Sequence, residues 1–294
     1  MRTLSETNMP GTVRGRVAAA GPRLGWPRGL LWCLALSPVL TWLAAFWYAR
    51  LHPDAFIGLT KEDGWVENSQ VVLFLLGAVF AGAIARTLSQ LAPHRGWTRV
   101  YSLAVYGLIW VSGEEVSWGQ RIFGWRTPEW LAAYNLQGES NFHNLVGLSW
   151  FIDRLMYAGV LGAVLLVWVL RRRLRRGDLR GYLWIPHPVL IPALLCYLTG
   201  KSSVLEQLTM GWYPEAQWKL VTRGLQEVRE LLLAFAVAGF FIIVFSLLRG
   251  EKGCAGKKMR DQRRRASPPP RQDAWWRPVA EGGRFDSARV RRTR

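Results

Sequence analysis

Long runs of apolar residues dominate this chain, and they lack the continuous polar face that a helix on the surface of a soluble protein shows. Each run is roughly 20 residues long, the length that an α-helix needs to cross the hydrocarbon core of a bilayer. The predicted spans are residues 30–48, 66–85, 100–118, 151–170, 182–199 and 231–248. The pattern therefore predicts an all-α, polytopic helical membrane bundle with about six transmembrane helices.

The two ends of the chain differ in composition from the apolar region between them. Residues 1–29 and 249–294 are basic, which predicts disordered terminal segments around a transmembrane domain at 30–248. A cleavable signal peptide is the alternative for the N-terminus. However, the first apolar run is longer than a signal-peptide core, and Trp47-Tyr48-Ala49-Arg50 is not a small-residue cleavage site. We therefore interpret residues 30–48 as the first transmembrane helix.

Positive charge is concentrated in four segments that six spans would place on the same side of the membrane. Residues 1–29 carry five Arg and one Glu, 86–99 three Arg, 171–180 six Arg and one Asp, and 249–294 fifteen Lys or Arg against five acids. Positively charged segments stay in the cytoplasm, so both termini are predicted to be cytoplasmic. Five or seven spans remain open, because the connector 119–150 and the proline-containing fifth run are ambiguous.

The net charge of +18 resides mainly in these tails and loops, so we expect no nucleic-acid partner for the core. The basic tails are instead expected to attract anionic lipid head groups of the bilayer, at about 1 kcal/mol per well-placed Lys or Arg. Many of the 17 Trp residues lie at predicted helix ends, which indicates an interfacial aromatic belt, with a sugar-stacking surface as the alternative. The three Cys residues are far apart and indicate no disulfide framework.

Glu114 and Glu115 lie near the end of the third apolar run and are, with His143, the candidate catalytic residues. A charge in the hydrocarbon is costly, so charged residues there commonly serve a function or find a partner. If the helix continued past them, Glu114, Trp118 and Arg121 would share one face. An internal Glu–Arg pair is therefore the structural alternative to a ligand-binding or proton-handling site.

The long connector 119–150 and the outer helix ends supply further polar candidates. We expect them to converge at the outer end of the bundle, because polar groups near lipid turn inward and find partners. His143 should then lie within side-chain reach of a carboxylate. Charged helix ends are the alternative interpretation for the acids near residues 67 and 230. The candidate binding residues are Arg121, Gln120, Glu139, Asn141, Asn144, Glu67, Glu227 and Glu230.

A divalent metal bound by His143 with Glu114, Glu115 and Glu139 is chemically feasible, since imidazole and carboxylate suit zinc or iron. The chain contains no HxxxH or HExxH pair, so we predict neither a metal site nor a cofactor. A hydrogen-bonding role for His143 explains the same residues more simply.

Two polar stretches carry a resemblance to a known group. They are Glu114-Glu-Val-Ser-Trp-Gly-Gln-Arg-Ile-Phe-Gly-Trp and Asn135-Leu-Gln-Gly-Glu-Ser-Asn-Phe-His-Asn. They resemble a group of bacterial multi-pass membrane proteins that share E-E-[IV]-S-W-G-Q-R and a later N-x-Q-x-E-x-N-[LF]-H-N. The resemblance covers roughly residues 60–240. It implies a bacterial cytoplasmic (inner) membrane protein but no reaction, because the group has no established activity.

Three classes of function remain open from the sequence. The first is an outward-facing enzyme that acts on a lipid or a cell-envelope saccharide, with Glu114 or Glu115 as acid or base. The second is a transporter or proton-coupled carrier that uses buried carboxylates. The third is a structural or assembly protein in which the polar cluster only ties helices together.

The charge pattern makes the topology testable. A reporter that is active only in the cytoplasm should work when fused after Arg249 and fail when fused after Gly138, because these points lie on opposite sides of the predicted bundle. Reporter activity in whole cells measures this difference. The reverse pattern would contradict the argument from charge.

Overall fold

The computed structural model describes residues 24–62, 64–90, 95–135, 138–175, 179–200 and 202–266, and the regular structure in these ranges is helical. The helices are α1 (Arg28–Leu51), α2 (Pro53–Thr60), α3 (Trp65–Ser89), α4 (Arg95–Glu115), α5 (Gln120–Phe123), α6 (Glu129–Ala132), α7 (Leu148–Arg175), α8 (Leu179–Tyr182), α9 (Ile191–Thr199), α10 (Ser202–Thr209) and α11 (Glu215–Ala266). The predicted all-α class is thereby confirmed.

Four helical stretches are long and apolar enough to cross a membrane: Arg28–Leu51, Pro53–Ser89, Leu148–Leu170 and Glu215–Gly250. They correspond to the predicted first, second, fourth and sixth spans. The third run forms α4, which is not among the four and has charged residues at both ends. The fifth run is interrupted: after α8 the chain turns, and the apolar helical stretch Pro188–Thr199 is short. Proline has no N–H to donate and so shortens the helix there.

α11 is the element against which the other long helices pack. It contributes residues to all four clusters of buried apolar side chains. Val244 packs with α3 and α4, and Leu247 with residues that flank the 3₁₀ turn Pro188–Leu190. Leu225 packs with α1, α2 and α10, and Leu233 with α7 and α9. Burial on several sides explains why α11 is so apolar in its middle.

α3 and α4 form an antiparallel pair that lies on α11. A Cβ atom at Gly77 would lie 3.4 Å from Leu108 Cδ1 and 3.5 Å from Phe241 Cδ2, so three helices meet at this glycine. Further along, a Cβ at Gly82 would lie 3.8 Å from Val105 Cγ2. Tyr101 donates a hydrogen bond to the carbonyl oxygen of Leu183 at 2.7 Å, which ties α4 to the segment after α8. The packing of α3 and α4 therefore fixes the position of the end of α4 beside α11.

The first half of α11 is held by α1 and α2. A Cβ atom at Gly224 would lie only 2.8 Å from Phe56 Cε1, so α2 needs a glycine at this point of α11. Tyr213, just before α11, donates hydrogen bonds to the carbonyl oxygens of Ala49 and Arg50 at 2.6 and 2.8 Å. These contacts bring the end of α1, the helix α2 and the start of α11 together.

The chain divides into two units, Met1–Lys252 and Gly253–Arg294. α11 continues to Ala266, beyond the predicted end of the sixth span at residue 248, so the predicted tail begins with helical residues. Residues 1–23 and 267–294 lie outside the described residues, and with them most of the predicted disordered ends.

Candidate functional site

α4 ends at Glu115, three residues earlier than the sequence predicted, in a strained turn. Ser117, Trp118 and Gly119 all have positive φ angles, of 46°, 54° and 77°. This region favours glycine, and other residues in it cost about 1–3 kcal/mol each unless their surroundings hold them. The polar contacts of the connector supply such surroundings.

Glu114 anchors the connector to α4. Its Oε1 accepts a hydrogen bond from Trp118 Nε1 at 2.7 Å, and its Oε2 accepts from the backbone N–H groups of Phe142 and His143 at 2.6 and 3.0 Å. His143 Nδ1 lies 3.5 Å from the same Oε2, which confirms the predicted approach of His143 to a carboxylate. Glu114 is 5% exposed, whereas the His143 side chain is 37% exposed. The imidazole is therefore held by Glu114 but faces partly outward.

The strained turn also brings Trp118 back over its own helix. A Cβ atom at Gly113 would lie 2.9 Å from Trp118 Cε3, so the indole ring needs a glycine beneath it. Trp110 meets the same ring edge-to-face, with ring centroids 4.8 Å apart. The indole N–H donates to Glu114 from this folded-back position.

Glu139 and Asn141 hold the turn at Ser117 through side-chain hydrogen bonds. Ser117 Oγ donates to Glu139 Oε2 at 2.5 Å, and Asn141 Nδ2 donates to Ser117 Oγ and Glu139 Oε2, each at 3.0 Å. Asn135 Nδ2 in turn donates to the backbone oxygen of Asn141 at 2.7 Å. Glu139 thus holds Ser117 in place.

Gln120 links three parts of the connector. Its Nε2 donates to Thr127 Oγ1 at 2.8 Å, and its Oε1 accepts from the backbone N–H of Ser140 at 2.7 Å. Asn144 is half-buried beside His143. The Arg121 side chain lies outside the described part of the structure, so the predicted Glu114–Arg121 pair stays a prediction. The predicted candidates in the connector therefore do converge, with Glu114 at their centre.

Glu115 belongs to a different group of side chains. Adjacent helical positions point about 100° apart, so Glu115 faces away from the connector. It lies within electrostatic range of Glu67 on α3 and of Glu227 and Glu230 on α11, and each of these charges repels its own. These four half-buried acids, from three helices, are called the carboxylate cluster below.

Gln70 adds a neutral amide to the carboxylate cluster, and the sequence analysis missed it. The side chain is fully buried, and Nε2 donates to the backbone oxygen of Glu227 at 2.9 Å. Its Oε1 is buried and has no hydrogen-bond partner among the described residues. The spacing in the sequence could have identified Gln70, because it follows Glu67 by one helical turn inside an apolar run.

Arg229 was also missed as a site residue. Its Nη2 donates to Asp153 Oδ1 and to Glu230 Oε1, both at 3.1 Å, and its guanidinium lies 5.0 Å from the centre of the Tyr197 ring. The residue is only 5% exposed. An arginine at the start of a long apolar run is the signal that points to such a buried ion pair.

The structure brings His143 to Glu114. Among the described residues, no group of three or more His, Cys, Asp or Glu side chains is arranged to hold a metal ion.

No protein family, curated protein or solved structure matches this chain. The functional interpretation therefore depends on the chemistry of the two groups of side chains around Glu114 and Glu115.

The two adjacent glutamates should respond differently to the same substitution. Glu114→Gln places an amide NH₂ among N–H donors, and hydrogen bonds to a charged acceptor are worth about 1.5–3 kcal/mol each. We expect a loss of about 2–3 kcal/mol and a lower thermal midpoint for the detergent-purified protein. Glu115→Gln removes one of four like charges and should leave the midpoint unchanged or raise it. Equal effects of the two substitutions would contradict this division of roles.

Proposed function

We propose that this protein is a proton-coupled carrier of a bacterial cytoplasmic membrane, in which the carboxylate cluster takes up and releases protons. The observation that supports the proposal is that Glu67, Glu227 and Glu230, from two helices packed beside α4, lie within electrostatic range of Glu115. Four negative charges at half-buried positions repel one another, and uptake of a proton by one carboxyl relieves this repulsion. A change of charge at one carboxylate of the cluster is therefore felt by the others.

Gln70 suits this role because an amide can serve either protonation state. Its Nε2 donates to the backbone oxygen of Glu227, and its buried Oε1 is left as an acceptor. A buried acceptor without a partner is costly, so a protonated carboxyl group within its reach would gain a hydrogen bond there.

Glu230 connects the cluster to a neighbouring helix. The same carboxylate that faces Glu115 also accepts a hydrogen bond from Arg229, and Arg229 is shared with Asp153 on α7. A change of charge at Glu115 alters the electrostatic repulsion on Glu230, the carboxylate that Arg229 shares with Asp153. Protonation of the cluster thus changes the tie between α11 and α7, which is how a proton is coupled to a movement of helices.

The orientation in the membrane follows from charge. We place both termini in the cytoplasm, count α4 and the segment that contains α9 as the remaining two of six spans, and let the cluster open outward. α4 lies along α3, one of the four apolar helices, so Arg86 near the end of α3 and Arg99 near the start of α4 lie at the opposite end of this pair from Glu67 and Glu115. We assign this positive end to the cytoplasm.

A second candidate function is an enzyme that acts on a lipid or a cell-envelope saccharide. His143 favours it, because Glu114 orients the imidazole from the Nδ1 side while part of the ring remains exposed. A carboxylate-held imidazole of this kind can act as a general base through its other nitrogen. The hydrogen bonds that fill Glu114 argue against Glu114 itself as the acid or base.

The carrier proposal predicts a shared proton that depends on Glu115. Infrared difference spectra of the purified protein should show a protonated carboxyl band at neutral pH, because the clustered charges repel. Glu115→Gln and Glu227→Gln should each remove or shift this band, whereas the exposed Glu129→Gln should not. In liposomes that contain a pH dye, solute-dependent proton entry should follow the same order among the variants. Spectra that are identical for wild type and Glu115→Gln would refute the proposal.

The enzyme candidate predicts the opposite dependence. Turnover of an added lipid or saccharide extract, followed by mass spectrometry, should be lost in His143→Gln and kept in Glu115→Gln, because only His143 is oriented by Glu114. If both variants behave like wild type in both assays, the structural or assembly role is the one that remains.

A further inference from the structure

A cleft lies between α2 and the first turns of α11, and three charged side chains line it together with apolar ones. Its volume is about 330 Å³. This is at the small end of the range of about 300–1,000 Å³ that is typical of ligand pockets. The feature is called the charged cleft below, and its lining includes Ile57, Lys61, Glu62, Leu220, Arg223 and Gly224.

Close packing holds the two helices of the charged cleft in place. A Cβ atom at Gly224 would collide with Thr60 Oγ1 and lie 2.8 Å from Phe56 Cε1, so α2 and α11 touch at this point. The Thr60 hydroxyl donates a hydrogen bond to the backbone oxygen of Phe56 at 2.9 Å, which fixes its direction. The cleft is therefore a fixed feature of the contact between these helices.

The charges that line the cleft do not cancel. Arg223 Nη2 donates to Glu62 Oε1 at 2.7 Å, and this bond uses only one of the five N–H donors of the guanidinium. Lys61 is exposed, and its ammonium group forms no ion pair with any residue that the structure describes. Two cations and one carboxylate leave one surplus positive charge in the cleft. A ligand with a single negative charge balances it.

The apolar part of the lining narrows the class of anion. Leu220 is 50% exposed and Ile57 is partly exposed, so both offer apolar surface to a ligand. A carboxylate carries one negative charge at neutral pH, whereas a phosphate monoester carries about 1.5 to 2. Guanidinium and ammonium groups both bind carboxylates through charge-assisted hydrogen bonds. The lining therefore fits a carboxylate on a short apolar body.

The height of the cleft along α11 favours a ligand from water over a lipid. Arg223 lies eight residues before residue 231, the predicted start of the sixth span, within one continuous helix. At 1.5 Å per residue this is roughly 12 Å from the hydrocarbon core. The head-group layer on each side is only about 5–7 Å thick, since a bilayer of about 40–45 Å has a core of about 30 Å. The charged cleft therefore lies beyond the lipid head groups.

We propose that the charged cleft binds a small, water-soluble organic acid as its monoanion. The carboxylate of the acid contacts Lys61 and Arg223. Its apolar body packs against Ile57 and Leu220.

The bound acid has a place in the proposed carrier, where it is the transported solute. This step rests on the carrier function, whereas binding does not, because neither cation of the cleft belongs to the carboxylate cluster. Arg223 lies within electrostatic range of Glu227, so its positive charge favours the ionised form of that carboxyl group. An anion bound to Arg223 offsets this charge and thereby favours proton uptake by the cluster.

Two pairs of variants separate the cleft from its surroundings. Lys61→Gln removes the ammonium group of the cleft, and Lys219→Gln makes the same change at an exposed lysine of α11 that pairs with Glu215. Leu220→Ala removes an apolar wall, and Leu208→Ala removes a leucine of similar exposure, 52%, on α10. None of the four residues is buried, so all four variants should fold, and melting temperatures check this.

The test is ligand-observed ¹⁹F NMR of the purified full-length protein with 4-fluorobenzoate. Wild type should bind the anion saturably, and Lys61→Gln should raise the dissociation constant about tenfold, equivalent to about 1.4 kcal/mol. Leu220→Ala should raise it severalfold, while Lys219→Gln and Leu208→Ala should match wild type. Neutral 4-fluorobenzyl alcohol should not compete, because it lacks the charge.

Four outcomes would overturn the proposal. The first is a wild type that shows no saturable binding. Equal weakening by Lys61→Gln and Lys219→Gln, or by neither, would place the anion elsewhere. Competition by the alcohol as strong as that by unlabelled benzoate would show that the charge is not recognised. Displacement by inorganic phosphate or dioleoylphosphatidylglycerol at a lower concentration than by benzoate would assign the cleft to a phosphate group, free or in a lipid.

The binding test and the carrier test fail independently. Binding is measured in detergent without a proton gradient, so its failure leaves the carboxylate cluster as a proton site. Infrared spectra that are identical for wild type and Glu115→Gln would refute the carrier and leave the bound acid in place.

Discussion

The structure depends on one constraint, which is that α11 is packed on several sides and yet carries charged residues in its first half. Its apolar residues belong to every buried cluster, so the helix cannot turn its charges toward solvent without losing that packing. A buried charge without a partner costs several kcal/mol, so each one must be paired or neutralised. Arg229 is paired with Asp153 and Glu230, whereas Glu227 and Glu230 face further acids. Electrostatic pairing, as well as the packing of apolar side chains, therefore determines which residues surround α11.

Glu114 and Glu115, the last two residues of α4, have different surroundings and different roles. Helical geometry turns Glu114 toward the connector and Glu115 toward α11. The carboxylate oxygens of Glu114 accept hydrogen bonds from Trp118, Phe142 and His143. These hydrogen bonds stabilise a turn whose positive φ angles would otherwise be unfavourable. A residue used in this way is poorly suited to exchange protons or bind a ligand. Glu115 has the opposite surroundings, with like charges nearby, and it is the residue whose state is expected to change.

The Arg229 ion pairs connect the carboxylate cluster to a neighbouring helix. Glu230 belongs to the cluster and Asp153 lies on α7, so one buried guanidinium ties α11 to α7. A change of charge in the cluster would therefore act on the contact between these two helices.

The sequence by itself determined the helical membrane class and the positions of four apolar helices, because the length and composition of an apolar run are local properties. It also identified the polar residues around Glu114, since these lie in two short stretches of one connector. It placed the end of α4 too far along the chain, because the reversal at Ser117 and Trp118 is stabilised by side chains more than twenty residues away. Only the tertiary structure decided that Glu115 faces Glu67, Glu227 and Glu230, and that Gln70 and Arg229 join them. These residues are distant in sequence, and packing around α11 alone brings them into range of one another.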